Sequence, residues 1–256
     1  MWAETLGYRE FRIPLTAAFF AALARAADVS GEDDLLDLGS GPGEVTLAMA
    51  PYGASMTALD CEQPMLDELA RRAQAAGREI RMIHKRVEEA PLDLGPFRLI
   101  TIAHAHWFMH HPGTFERLDR WLAPGGTVAL CLSLSVPDTP WVQAFRAVRR
   151  NWARGDLQAP KPTHAEFFRG THFVLAQVIS IPGEQSLALD DLLRRAQGYS
   201  TTNRAVLGEA DTDAMLGDLR QALAPYFRKG PLIEPFINQA FLYRRRGDPD
   251  SQVRRR

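Results

Sequence analysis

Between Leu35 and Ser135, strand-like runs alternate with helical segments, and this order constrains the chain more than any other feature. The strands are expected at 35–39, 55–60, 79–85, 97–103 and 127–135. Helices are expected from Pro14 to about Asp28, through VTLAMAPYG after the first strand, over 64–76 and over 114–122. Gly77 is a suitable stop for the third of these. Alternation of this kind predicts right-handed βαβ crossovers and a doubly wound, mostly parallel sheet of the α/β class. Strands in such a sheet are buried on both faces, which accounts for continuous apolar runs such as FRLITIA and TVALCLSLS.

Beyond Pro137 the pattern loosens. Helices are expected at 139–153, 188–198 and 211–224, and strands near 172–180 and 235–244. The last strand, with Phe236, Ile237, Gln239, Phe241 and Tyr243, is expected at the far edge of the sheet. The stretch 188–224 reads as an insertion between the last two strands, and with residues 1–28 it is expected to form a helical lid. A single domain over 1–243, with its core at about 30–136, and a disordered basic tail over 244–256 complete this reading.

Composition narrows the function. With 46% hydrophobic residues among 256, a substantial core is available. A formal charge of −1 offers no broad attraction to phosphate backbones, so nucleic acid is not an expected partner. Cys61 and Cys131 have no metal-ligand spacing and form no disulfide framework, as in a reduced, cytoplasmic protein. No run is long enough to cross a bilayer. The segment 17–27 is apolar, but Arg25 interrupts it and a strand follows, so an amphipathic helix is the better reading than a leader.

The chemistry is most legible at Asp37-Leu38-Gly39-Ser40-Gly41-Pro42-Gly43, a turn between a strand and a helix, where open α/β sheets bind ligands. The spacing is G-x-G-x-G, and a carboxylate precedes the first glycine. A pyrophosphate would be repelled there, whereas a ligand with an ammonium and a sulfonium would be favoured. Asp60 closes the second strand 17 residues after Gly43, close to the offset of about 20 at which an acid meets a ribose in dinucleotide folds.

LLDLGSGPGEVTLAMA, TALDCEQPMLDELARRA, FRLITIAHAHW and LDRWLAPGGTVAL together resemble the successive motifs of class I S-adenosylmethionine (SAM)-dependent methyltransferases, most closely the UbiE-like, type 11 small-molecule branch. The opening YREFRIP is similar to the start of that branch, and the likeness spans about residues 8–135. The resemblance implies a seven-stranded Rossmann-like sheet, SAM as cofactor and a small-molecule methyl acceptor. It implies that Asp37, Gly39, Ser40, Gly41 and Gly43 hold the methionine part and that Asp60 holds the ribose. Cys61 and Met65 would flank the adenine, with Val87 and Glu88 at its edge. Ala103 would face the methionine group. Arg86 stands where the family commonly has an acid.

HAHWFMHHP, residues 104–112, would lie beside the transferable methyl group. Histidine is the natural base near neutral pH, which makes His104, His106 and His110 the catalytic candidates. His104 and His106 alternate, so one extended face could present both; a structural role for these rings stands equally open. His110 and His111 precede Pro112 and could simply cap the next helix. No carboxylate-rich companion motif supports a metal. Arg12 and Arg204 are candidates for an acidic acceptor. An RNA or protein methyltransferase, or a SAM-binding protein that does not methylate, remain the alternative readings.

Overall fold

The computed structural model describes residues 13–154, 162–199 and 201–248. Seven strands form one sheet in the order β3-β2-β1-β4-β5-β7-β6. They are β1 (Asp34–Leu38), β2 (Ser55–Asp60), β3 (Arg81–His84), β4 (Phe97–Ala103), β5 (Leu122–Ser135), β6 (Phe173–Leu187) and β7 (Leu232–Arg245). The pairs β1–β2, β1–β4, β2–β3 and β4–β5 are parallel. The sheet as a whole is mostly parallel with one antiparallel hairpin. Strand order therefore reverses beside β1, where the chain must cross over, and the C-terminal ends of β1 and β4 flank the opening this creates.

The chain divides into two compact units. Among the described residues, the sheet unit comprises 15–132, 162–181 and 238–248. Side chains alternate across its strands, so that each strand feeds two cores. Leu36, Leu38, Ile100, Ile102, Val128, Leu130, Phe241 and Tyr243 face one core, with Leu118 and Trp121 of α4 (Pro112–Trp121) and Phe167 of α6 (His164–Phe167). Leu35, Leu99, Ala129, Cys131, Ala240 and Leu242 face the other. There they meet Phe19, Phe20 and Leu23 of α1 (Ala17–Ala26) and Val45 and Met49 of α2 (Glu44–Met49). A third, smaller cluster joins Ala58 to Leu66 and Leu69 of α3 (Gln63–Ala75).

Among the described residues, the helical unit holds 13–14, 133–154, 182–199 and 201–237. Its helices are α5 (Pro140–Trp152), α7 (Leu189–Gln197), α8 (Arg204–Leu207) and α9 (Glu209–Leu223). Trp141, Phe145, Leu192, Met215, Leu219 and Leu223 share its core. Arg195 and Glu234 form a buried ion pair at 2.8 Å, and Gln185 and Ser135 donate further hydrogen bonds to the same carboxylate.

Several expectations change. β7 is not an edge strand: it lies between β5 and β6, and β6 is the edge. α1, expected in the lid, packs into the core of the sheet unit instead, because Phe19, Phe20, Leu23 and Ala24 give it one continuous apolar side. β5 begins at Leu122 rather than 127, and Pro124-Gly125-Gly126 lies within it; the register with β4 shifts between Phe97 and Leu99. The chain beyond 243 is not wholly a tail. Strand β7 runs to Arg245, whose guanidinium donates to Asp119 and to the carbonyls of Leu122 and Ala123. Residues 1–12 of the expected lid, with Arg12, and residues 249–256 of the expected tail lie outside the described residues.

Candidate active site

The glycine turn leaves the end of β1 with Gly39, Gly41 and Gly43 at φ values of 66°, 53° and 83°. Side-chain-bearing residues rarely adopt this left-handed backbone, which explains why three alternate positions are glycine. The turn is tied to β2: Gly39 N and Ser40 N donate to Leu59 O at 2.8 and 3.2 Å. Asp60, 8% exposed at the end of β2, then accepts from Gly41 N at 2.8 Å and from Glu62 N at 2.9 Å. The acid expected at the ribose thus stands directly against the turn expected at the methionine part. Two features suit this turn to a ligand. Ser40 Oγ is buried without a hydrogen-bond partner, a costly state for a hydroxyl unless a ligand completes it. A Cβ added at Gly41 would meet nothing within 4 Å, so the backbone there fronts open space.

Asp37 sits deeper than its proposed role suggests. It is 1% exposed and shares the face of β1 that meets α2. One carboxylate oxygen accepts from Thr46 Oγ1 at 2.7 Å, the other from Thr101 Oγ1 at 2.8 Å. Burial pushes its pKa up to about 6, against the two threonine hydrogen bonds that favour the charged form. With both oxygens engaged, Asp37 joins β1 to α2 and β4 beneath the turn. Sequence reading missed both threonines. The available signal was a hydroxyl in the middle of the apolar strand FRLITIA, at the position paired in register with Asp37.

On the side expected for adenine, Cys61 is exposed and Met65 is half-buried. Burial, followed by the Asp60 and Glu62 charges, raises the Cys61 thiol pKa. Val87 is a core residue. Glu88 pairs with Arg86 at 2.6 Å, so the arginine at the family's acidic position is neutralised by the acid two residues on.

The histidine segment does not continue as an extended strand. β4 ends at Ala103, which is half-buried. His104 turns into the left-handed region at φ 52°, its N–H donating to Cys131 O at 3.1 Å, and His106–Phe108 form a 3₁₀ turn. The alternation expected to align His104 with His106 is therefore absent. The turn brings the segment back over the glycine turn: a Cβ at Gly39 would lie 2.6 Å from Met109 Cε and 2.8 Å from Ala105 Cβ.

The candidate histidines differ in their surroundings. His106 is 3% exposed, its ring 4.7 Å from Trp107 and 5.8 Å from Phe167, and its Nδ1 is buried without a hydrogen-bond partner. Burial, reinforced by the nearby charge of His164, lowers its pKa to about 4, so the ring is neutral at physiological pH. His110 is exposed and meets the same Phe167 ring at 5.8 Å. His111 caps α4, its Nδ1 accepting from Gly113 N at 3.1 Å. Among the described residues, no group of three His, Cys, Asp or Glu side chains is placed to hold a metal ion, and no helix is long and apolar enough to cross a membrane.

Residues 35–126 match the methyltransferase domain family. The chain is 36% identical over 150 residues to a trans-aconitate 2-methyltransferase of Methylobacterium nodulans, covering 58% of this chain and 54% of that one. It is 32% identical over 124 residues to a demethylmenaquinone methyltransferase of Clavibacter sepedonicus, covering 48% and 49%. The chain therefore spans about half the length of the curated relatives it matches. Among solved structures it resembles a SAM-dependent methyltransferase from Thiobacillus denitrificans in complex with S-adenosylhomocysteine, with a TM-score of 0.54 at 18% identity over 95% of this chain and 96% of that one. A second such complex, from Geobacter sulfurreducens, has a TM-score of 0.54 at 18% identity over 95% and 98%. These two likenesses establish a Rossmann-like methyltransferase fold.

Proposed function

We propose that this chain, whose residues 35–126 form a domain of the methyltransferase family, is a SAM-dependent methyltransferase acting on an oxygen, nitrogen or carbon atom of a small molecule. The observation that carries the reading is the pairing of a left-handed glycine turn with Asp60, beside a buried Ser40 hydroxyl that has no partner. The residues present fit the cofactor. Gly39, Ser40, Gly41 and Gly43 would hold its methionine part, and Asp60 would exchange its backbone contact for the ribose hydroxyls. Cys61, Met65, Val87 and Glu88 would border the adenine, with Ala103 against the methionine chain. SAM supplies an electrophilic methyl group on a good leaving group, so alignment of the acceptor is the enzyme's main task.

In this reading His106 orients rather than deprotonates. A ring held neutral with a pKa near 4 is a weak base at pH 7, but its buried Nδ1 can take part in one directed hydrogen bond. His104 and His110 remain the candidates for a base. The names of two relatives, a trans-aconitate 2-methyltransferase and a demethylmenaquinone methyltransferase, support small acceptors over RNA or protein.

The test is calorimetric titration and thermal unfolding with S-adenosylhomocysteine, SAM and NADH, on wild type and Asp60→Ala. At about 100 times the dissociation constant a ligand stabilises by roughly 2.7 kcal/mol, which moves the midpoint of a protein this size by several degrees. The expected result is a shift with both adenosyl ligands, none with NADH, and a weakened shift in Asp60→Ala. A shift with NADH alone overturns the reading. Formation of S-adenosylhomocysteine with an acceptor then separates a methyltransferase from a protein that only binds SAM.

A further inference from the structure

The helical unit carries a cation that the proposed activity leaves unused. Arg149 lies in the last turn of α5. Its guanidinium carbon is 3.3 Å from the centroid of the Tyr199 ring and 5.9 Å from that of Phe145. Its Nε is buried without a hydrogen-bond partner. Among the described residues, no carboxylate forms an ion pair with it. Three other arginines of this unit are paired with acids: Arg154 with Asp211, Arg195 with Glu234, Arg204 with Glu209. Arg204, a candidate for an acidic acceptor, makes its pair at the surface.

A neighbouring charge, that of Arg146, has the same sign as Arg149. Arg146 stands three residues earlier on α5, and its own guanidinium donates to Ser135 O at 3.4 Å. Burial depresses the Arg149 pKa, Tyr199 opposes that shift, and the Arg146 charge adds a smaller depression. Stacking on an aromatic ring compensates a desolvated cation only in part. A guanidinium covered on its face by a ring still offers the N–H groups along its edge, and that planar fork matches a carboxylate.

We propose that Arg149, with Arg146 beside it, binds the carboxylate of an acidic small molecule. That this molecule is the methyl acceptor rests on the activity proposed above; the anion binding stands without it.

Malonate is titrated into the full chain at constant ionic strength, with chloride and inorganic phosphate as comparison anions. Thermal midpoint and S-adenosylhomocysteine affinity are read for wild type, Arg149→Met, Arg149→Lys and the exposed control Arg150→Met. The expected result is saturable stabilisation by malonate in wild type and Arg150→Met, with none in Arg149→Met. Arg149→Lys keeps the charge but loses the fork, and should bind malonate about tenfold more weakly, the loss of one charge-assisted hydrogen bond. It also carries the test should Arg149→Met fail to fold. S-adenosylhomocysteine affinity is expected to stay the same in all folded variants. Equal malonate effects in all variants, or saturation by phosphate without malonate, overturn the proposal. Failure of every form to bind S-adenosylhomocysteine counts against the methyltransferase reading and leaves the malonate result to judge the anion site.

Discussion

Gly39 and Gly41 share a left-handed backbone, yet a methyl group added to each meets different surroundings. At Gly39 it collides with Met109 and Ala105, so Gly39→Ala combines backbone strain of roughly 1–2 kcal/mol with overpacking of about 1–3 kcal/mol. At Gly41 there is no neighbour, so Gly41→Ala should lose only the backbone contribution in stability. It should nevertheless lose much of its affinity for S-adenosylhomocysteine, because the added carbon occupies the space the ligand needs. Urea unfolding together with titration calorimetry checks both; a Gly41→Ala variant with normal affinity would move the ligand away from this turn. Asp37 gives a prediction of another kind. Its carboxyl pKa is 3.8 unfolded and about 6 folded, so the protonated form is the one folding favours. That stabilisation is complete below pH 3.8 and is lost as pH rises through about 6. Measured without ligand, the stability of Asp37→Asn relative to wild type should therefore rise by about 3 kcal/mol from acid to neutral pH. Parallel pH profiles would show that Asp37 is not buried as described.

At the scale of elements, α1 is held by what it buries. Phe19, Phe20, Leu23 and Ala24 recur at helical spacing and meet strand residues on one face of the sheet, while Thr16 caps the helix through Phe19 N. Phe19 is fully buried, so Phe19→Ala should cost about 3–5 kcal/mol in chemical denaturation. A cost under about 1 kcal/mol, typical of a surface site, would place α1 outside the core. The glycine turn, β2 with its terminal acid and the strand leading to the histidines were legible because each joins a local signal to a periodic one. The route after β4 was not. HAHWFMHHP has no breaker residue before Pro112, and only the packing of Met109 and Ala105 against Gly39 and of His106 against Phe167 turns it out of the sheet. The short helices α6 and α8, of four residues each, also escaped the pattern, since one turn carries no period.

At the scale of the whole molecule, stability is organised in two compact units, the sheet unit with a core on each face of its strands and the helical unit with a core of its own. The helical unit contains a buried ion pair, with Glu234 at 1% and Arg195 at 5% exposure. Removing one partner of such a pair leaves an uncompensated charge, so Glu234→Ala should cost about 3–5 kcal/mol. Hydrogen exchange should report it as faster exchange across 189–223; unchanged protection there would refute the role of the pair. The amino-acid sequence by itself determined the α/β class, the glycine turn and its acid, and the likeness of residues 35–126 to the methyltransferase domain family, because these rest on local backbone requirements and short-range periodicity. Tertiary structure alone decided that β7 enters the sheet beside β5, that Thr46 and Thr101 saturate Asp37, that His106 is buried and neutral, and that Arg149 faces Tyr199 rather than an acid. Each of these depends on partners between 9 and more than 100 residues apart in the chain, and local preference carries no information about contacts made at that distance.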